Sequence, residues 1–232
     1  MIPLLLVAVA VIGYLLGAIP FGLFIGKLFA KKDIREVGSG KIGMTNVMRT
    51  AGKKAAAISL VLDVFKGALA VIIAVFIFRD EKAMTGLFTP YESAQVIAAL
   101  AAIAGHTWSV FLKFKGGRGV ATFFGGLAAL YWPAAIIGGI FVFGIGYRTK
   151  YMSLGSIIGA VVAFVLIMAL SVLKINFLGP SPAFEYVVYT MVGSIFIYVM
   201  HRDNILRLLN GTERKIGEKA KARTSITSDN SE

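Results

Sequence analysis

The chain has 232 residues, of which 57% are hydrophobic and 16% charged, with a mean hydropathy of +0.80. A soluble domain carries about a quarter charged residues, so a water-soluble fold is excluded and the apolar excess must face lipid. The lack of cysteine excludes disulfides, thiolate metal sites and a cysteine nucleophile, two histidines exclude a histidine-rich metal centre, and the net charge of +12 leaves cytoplasmic loops, anionic headgroups or anionic substrates as its uses.

Residues 2–28 read as a first transmembrane span, with Pro20 near its inner end. No basic residue precedes this run, whereas Lys27, Lys31 and Lys32 close it. A span with its N-terminus outside is therefore expected, not a cleaved leader. The loop 31–54 holds seven Lys/Arg against Asp33 and Glu36. Within it runs Gly38-Ser39-Gly40-Lys41-Ile42-Gly43-Met44-Thr45-Asn46, followed by Arg49. Closely spaced glycines let backbone N–H groups curl around an anion. Ser39, Thr45 and Asn46 add neutral donors, and Arg49 a fork suited to phosphate.

Residues 55–78 read as the second span, and 79–92, with two basic and three acidic residues, as an outer loop. Asp63 and Lys66 lie deep in that span, where charges are costly and seldom idle. Their i,i+3 spacing permits an ion pair, which fits a structural role and a functional one equally. Asp63 is placed with the structural residues and Lys66 with the substrate-binding ones. The third span, 93–112, ends in Gly105-His106-Thr107-Trp108-Ser109 and runs into Lys115-Gly116-Gly117-Arg118-Gly119. His106 and Ser109 are expected on one helix face, and the glycine turn at the mouth of a helix is expected to bind phosphate.

The stretch 120–147 is too long for one comfortable span, and Trp132-Pro133 interrupts it. If it crosses once, Arg148, Lys150 and the basic tail fall outside; if it doubles back, every basic loop is cytoplasmic. Two short spans are chosen. With spans at 153–173 and 184–200, the expectation is an all-α polytopic protein of seven transmembrane helices, N-terminus outside and C-terminus cytoplasmic. Residues 1–217 form one membrane domain, and 218–232 a polar, disordered tail. Ser153 opens the sixth span. His201, Asn204 and Arg207 recur at three along an emerging helix that runs on to Glu213.

The blocks 38–49, 105–122 and 201–217 occur in order, and together with Ile19-Pro20-Phe21-Gly22, Leu62-Asp63 and Lys66-Gly67 they resemble the bacterial acyl-phosphate:glycerol-3-phosphate acyltransferase family. The resemblance implies transfer of an acyl group from acyl phosphate to the sn-1 hydroxyl of glycerol 3-phosphate, giving lysophosphatidate and inorganic phosphate in phospholipid biosynthesis. It implies Ser39, Arg49, His106, His201 and Asn204 as the catalytic set. Gly38, Gly40, Gly43, Thr45, Asn46, Lys66, Ser109, Lys115, Gly116, Gly117, Arg118, Gly119, Ser153 and Arg207 would hold substrate and phosphate, with Asp63 and Glu213 structural. No metal or other cofactor is implied. The partners are the two small-molecule substrates and the bilayer, with no nucleic acid, and the site belongs on the cytoplasmic side of the bacterial inner membrane. Two positions depart from the family pattern. Lys41 stands where Asn is usual and is left out of the site, and Arg118 replaces the usual Lys, trading a point charge for a planar fork. A transporter of phosphorylated solutes is the competing reading of the same broken span and buried charges.

Overall fold

A computed structural model describes residues 1–81 and 88–218. The tail expected to be disordered lies, from residue 219 on, outside the described residues. Among the described residues eight α-helices follow in order: α1 Ile2–Ala18, α2 Phe21–Ala30, α3 Met44–Phe78, α4 Pro90–Thr107, α5 Val120–Thr149, α6 Met152–Val172, α7 Phe184–Met200 and α8 Arg202–Leu209. Among the described residues five stretches are long and apolar enough to cross a membrane, and a sixth is counted if α7 and α8, bent by 60°, form one broken span. The protein is thus an all-helical, multi-pass membrane protein. Its outer surface carries large apolar side chains along several helices, among them Phe76, Ile140, Val165 and Ile195, as a lipid-facing bundle requires.

The long helices are broken where the chemistry of the residues dictates. Pro20 cannot donate a backbone hydrogen bond, and the first apolar run divides there into α1 and α2. In α3, Gly52 adopts φ 88°, ψ 176°, a conformation open in practice only to glycine. It separates the polar turn 44–51 from the apolar span beyond. In α5 the break falls at Tyr131 (φ −155°, ψ 87°), two residues before Pro133. A Cβ built on Gly138 would lie 2.8 Å from Cε1 of Phe124. A straight helix would hold positions that far apart at about 21 Å. The two halves of α5 therefore fold back on each other, with rises of about 17 Å for the first and about 27 Å for the second.

Small residues set the packing distances. A Cβ on Gly13 or Gly17 would strike the carbonyl oxygen of Ala98 or Ala102, so α1 and α4 touch backbone to backbone. The two contacts advance together along both helices, so α1 and α4 run parallel. The central core joins α3 to α7 through Val71, Ala99, Phe123, Leu127, Ala163, Tyr189 and Ile197. Polar groups inside it are satisfied across helices: Tyr189 donates to Phe123 O at 2.8 Å and Ser194 to Ala160 O at 2.9 Å.

One end of this bundle gathers four segments distant in sequence. The loop 31–43, the turn 113–119, the start of α6 and the segment 211–218 meet there. Ile216 N donates to Lys150 O at 2.8 Å, and Arg49 Nη2 donates to the carbonyls of Arg214 and Lys215, both at 3.2 Å.

Candidate active site

At that end lies a cavity of about 490 Å³. Its polar part is lined by Ser39, Gly43, Thr45, Asn46, Arg49, Asp63, His106, Arg118, Gly119, Ser153, His201, Asn204, Arg207 and Glu213. Two further basic residues, Lys41 and Arg214, also line it. Away from this end the wall turns apolar along both halves of α5, through Phe124, Ala128, Trp132, Ile136, Val142 and Phe143. The three polar blocks of the sequence thus share one cavity, with a cationic end and an apolar flank.

The first block is an organised loop, tied by Asn46. Its Nδ2 donates to Ile34 O (2.8 Å), Lys41 O (3.0 Å) and Val37 O (3.2 Å), while its Oδ1 accepts from Ser39 N at 3.1 Å. Asn46 was expected to donate to substrate, but its amide is committed to the loop and its cavity role is to hold Ser39 in place. Gly38 (φ 60°) and Gly40 (φ 67°) shape the turn and do not line the cavity. Gly43 caps α3 with nothing within 4 Å of where its Cβ would be.

The second block departs most from expectation. Helix α4 stops at Thr107, so Ser109 does not share a face with His106. The Ser109 hydroxyl instead donates to Ala18 O at 2.6 Å, pinning the turn to the end of α1. Gly116 N donates to Thr107 O and Gly117 N to His106 O, so these two amides close the turn and are not offered to an anion. The tight approach explains the glycines: a Cβ on Gly117 would fall 2.0 Å from Nε2 of His106. Lys115 points to solvent. What faces the cavity is Arg118, Gly119 and the first turn of α5, whose N–H groups have no intrahelical acceptor. Arg118 makes no hydrogen bond or ion pair among the described residues. Burial, reinforced by the like charge of Arg207, pushes its guanidinium down to about 10. A group so held favours an arriving anion.

The third block closes around Glu213. Its Oε1 accepts from Asn204 Nδ2 at 2.6 Å and from Ser153 Oγ at 2.8 Å, and its Oε2 from Arg207 Nε at 2.7 Å. Burial alone would raise this carboxyl, but the donors Asn204, Ser153 and Arg207 together hold it below its ordinary range. His201, 3% exposed, sets its Nδ1 2.8 Å from Ile197 O. A carbonyl only accepts, so Nδ1 carries the proton and Nε2 is left with a lone pair.

The buried charges of α3 sit otherwise than expected. Lys66 lies off the cavity, with Nζ donating to Ile19 O at 2.9 Å and 2.8 Å from Asp63 Oδ1. It braces the break between α1 and α2 and is not among the residues that line the cavity. Asp63, placed with the structural residues, reaches the cavity wall, and its Oδ1 lies 3.5 Å from His106 Nδ1. Lys41 and Arg214 were passed over although each stands inside or beside a polar block, and that adjacency to Ser39 and to Glu213 was the available signal.

The profile of the family described as glycerol-3-phosphate acyltransferase matches residues 7–211. Among curated relatives, glycerol-3-phosphate acyltransferase 3 of Dehalococcoides mccartyi is 49% identical over 93% of this chain and 98% of its own length. The glycerol-3-phosphate acyltransferase of Dinoroseobacter shibae is 43% identical over 94% and 96%. Among solved structures, the glycerol 3-phosphate form of PlsY (YgiH), an integral membrane glycerol 3-phosphate acyltransferase, superposes with a TM-score of 0.77 at 33% identity, covering 91% of this chain and 96% of that one. Its lysophosphatidic acid form gives 0.75 at 32%, covering 90% and 94%.

Proposed function

The chain belongs to the glycerol-3-phosphate acyltransferase family, and from that premise we propose how its cavity carries out the reaction. The sn-1 hydroxyl of glycerol 3-phosphate attacks the carbonyl carbon of an acyl phosphate. The new ester bond forms as the carbonyl–phosphate bond breaks, giving 1-acylglycerol 3-phosphate and inorganic phosphate. Phosphate is a good leaving group, so the protein has mainly to position two anions and screen their charge.

One observation carries this reading: a single cavity unites five basic side chains, Lys41, Arg49, Arg118, Arg207 and Arg214, with an apolar flank. Arg49, Arg118 and Arg207 offer planar forks to the two phosphates, and the amides at the start of α5 add a dipole end. Ser39, Thr45 and Ser153 supply neutral donors, while Asn204, held by Glu213, presents its oxygen to the cavity. His201 orients the reacting groups directly and His106 does so through the turn it packs against, and the substrate's own phosphate oxygen takes the hydroxyl proton. The acyl chain lies along α5, where Trp132 (50% exposed) and Ile136 (53%) open the wall toward lipid. The donor is tested with purified protein in detergent by following phosphate release from acyl phosphate. Release should require glycerol 3-phosphate, and acyl-coenzyme A should be inert as donor. Turnover with acyl-coenzyme A but not acyl phosphate would overturn the donor assignment. A transporter has no need of such turnover.

Residues 1–217 act as one membrane domain in this reading. It crosses seven times, with the N-terminus outside and the C-terminus and active site on the cytoplasmic side of the bacterial inner membrane. The reversal at Tyr131 supports this, as does the gathering of Arg118, Lys150 and the segment 211–218 at one end of the bundle. Seven crossings put all of those positive charges on the cytoplasmic side.

A further inference from the structure

The acyl-transfer scheme makes no use of Asp63, yet this carboxylate is 1% exposed, sits within a membrane helix and reaches the wall of the cavity. Ion pairs at such depth are weak devices for stability and are better explained by the geometry they impose. Lys66 ties Asp63 to the carbonyl of Ile19 at the α1–α2 break. On its other side Asp63 Oδ1 faces His106 Nδ1 at 3.5 Å, and that nitrogen has no hydrogen-bond partner of its own. The opposite ring nitrogen, Nε2, occupies the space beside Gly117 that a side chain would fill. Gly117 is bonded back to His106 O, and the next two residues, Arg118 and Gly119, line the cavity and open α5. A continuous series of contacts thus runs from Ile19 through Lys66, Asp63 and His106 to the phosphate-facing turn.

We infer that Asp63 is a positioning residue: it holds His106 as the Nδ1–H tautomer wedged beneath Gly117, and so fixes Arg118 and the first turn of α5 where a substrate phosphate meets them. This rests on the acyl-transfer reading given above, and it assigns Asp63 a task beyond neutralising Lys66. A carboxylate facing one ring nitrogen sets which nitrogen carries the proton. With Nε2 deprotonated, the ring meets Gly117 without a hydrogen in the gap.

The chain holds two histidines, which makes the test direct. Protein labelled with ¹⁵N-histidine, with His201→Gln assigning the signals, should show His106 protonated at Nδ1 and bare at Nε2. In Asp63→Ala the proton should move to Nε2, and KM for at least one phosphate substrate should rise roughly tenfold or more, with kcat changing less. Asp63→Asn, whose amide oxygen can still accept, should keep the tautomer and recover part of the KM. The double variant Asp63→Ala/Lys66→Met removes the stranded cation and should remain impaired in KM. Wild-type KM in that double variant would overturn the proposal, because neutralising Lys66 would then be all that Asp63 does. An Nε2–H tautomer of His106 in the wild-type protein would overturn it too, even if no Asp63 variant folds. Wild-type protein inactive with acyl phosphate would sink the donor assignment while the tautomer is still read independently.

Discussion

Gly117 and Gly144 predict opposite outcomes for the same change. A methyl on Gly117 must displace the imidazole of His106, whereas nothing lies within 4 Å of the position a methyl on Gly144 would take. Gly117→Ala should therefore lower kcat/KM about tenfold or more by shifting the turn that carries Arg118. Gly144→Ala should be near neutral in activity and gain up to about 1 kcal/mol from helix propensity. Steady-state kinetics and thermal unfolding in detergent check both. Glu213 gives a pH signature. Its carboxyl titrates below the ordinary 4.5 in the folded protein, so its stabilisation is complete above that pH and is lost as the pH falls through the lower folded value. The unfolding midpoint of the wild-type protein should drop below about pH 4.5, and in Glu213→Gln that part of the acid dependence should flatten at a lower starting stability. At this scale the sequence revealed residue types better than their partners. Ser39, Arg49, His201 and Asn204 could be picked out because polar blocks are rare in apolar sequence. Ser109 and Lys66 could not be sorted, because their acceptors, Ala18 O and Ile19 O, are backbone atoms distant in sequence and brought near by the packing of α1.

Elements were legible wherever a proline or a charge marked them. Pro133 and the positive-inside rule together pointed to a reversal within 120–147, and the chain turns at Tyr131, whose hydroxyl donates to Phe177 O at 2.6 Å. The division is unequal, with the short half following the turn that carries Arg118 and the longer half packing on α6. Nothing in the apolar pattern announced that inequality, since both halves are hydrophobic on all sides and periodicity is silent there. The Gly52 break went unmarked for a different reason, because glycine is common throughout this chain and only its backbone angles single it out. The hairpin itself is testable through Phe124 and Gly138. In a double-mutant cycle, Phe124→Ala and Gly138→Ala should show a coupling of about 0.5–3 kcal/mol in unfolding free energy. The added methyl overpacks against a ring that the other change removes. Strictly additive effects would mean that the two halves of α5 do not touch.

Across the whole molecule, the site exists only because four chain segments reach the same end of the bundle, and each crossing of the membrane decides whether the next one can. The chain contains no cysteine, so single cysteines report sidedness without a background. Lys32 and Lys113 are exposed just beyond helix ends and Arg148 is exposed in the last turn of α5, whereas Asp80 follows the far end of α3. With seven crossings, a membrane-impermeant maleimide should label Asp80→Cys in intact cells and leave Lys32→Cys, Lys113→Cys and Arg148→Cys unlabelled. Inverted vesicles should reverse the pattern. The informative comparison is Lys113→Cys against Arg148→Cys, the one ahead of α5 and the other in its last turn. If Arg148→Cys alone joins Asp80→Cys, α5 crosses once, Ser153 and Glu213 move away from Arg118, and the cationic end of the cavity is dismantled. Matching accessibility at Lys113→Cys and Arg148→Cys would mean that folding brings the Arg118 turn and the Glu213 cluster to one face before any substrate arrives. That order matters for catalysis, because a preorganised cationic end spends no binding energy on assembling itself around the two anions.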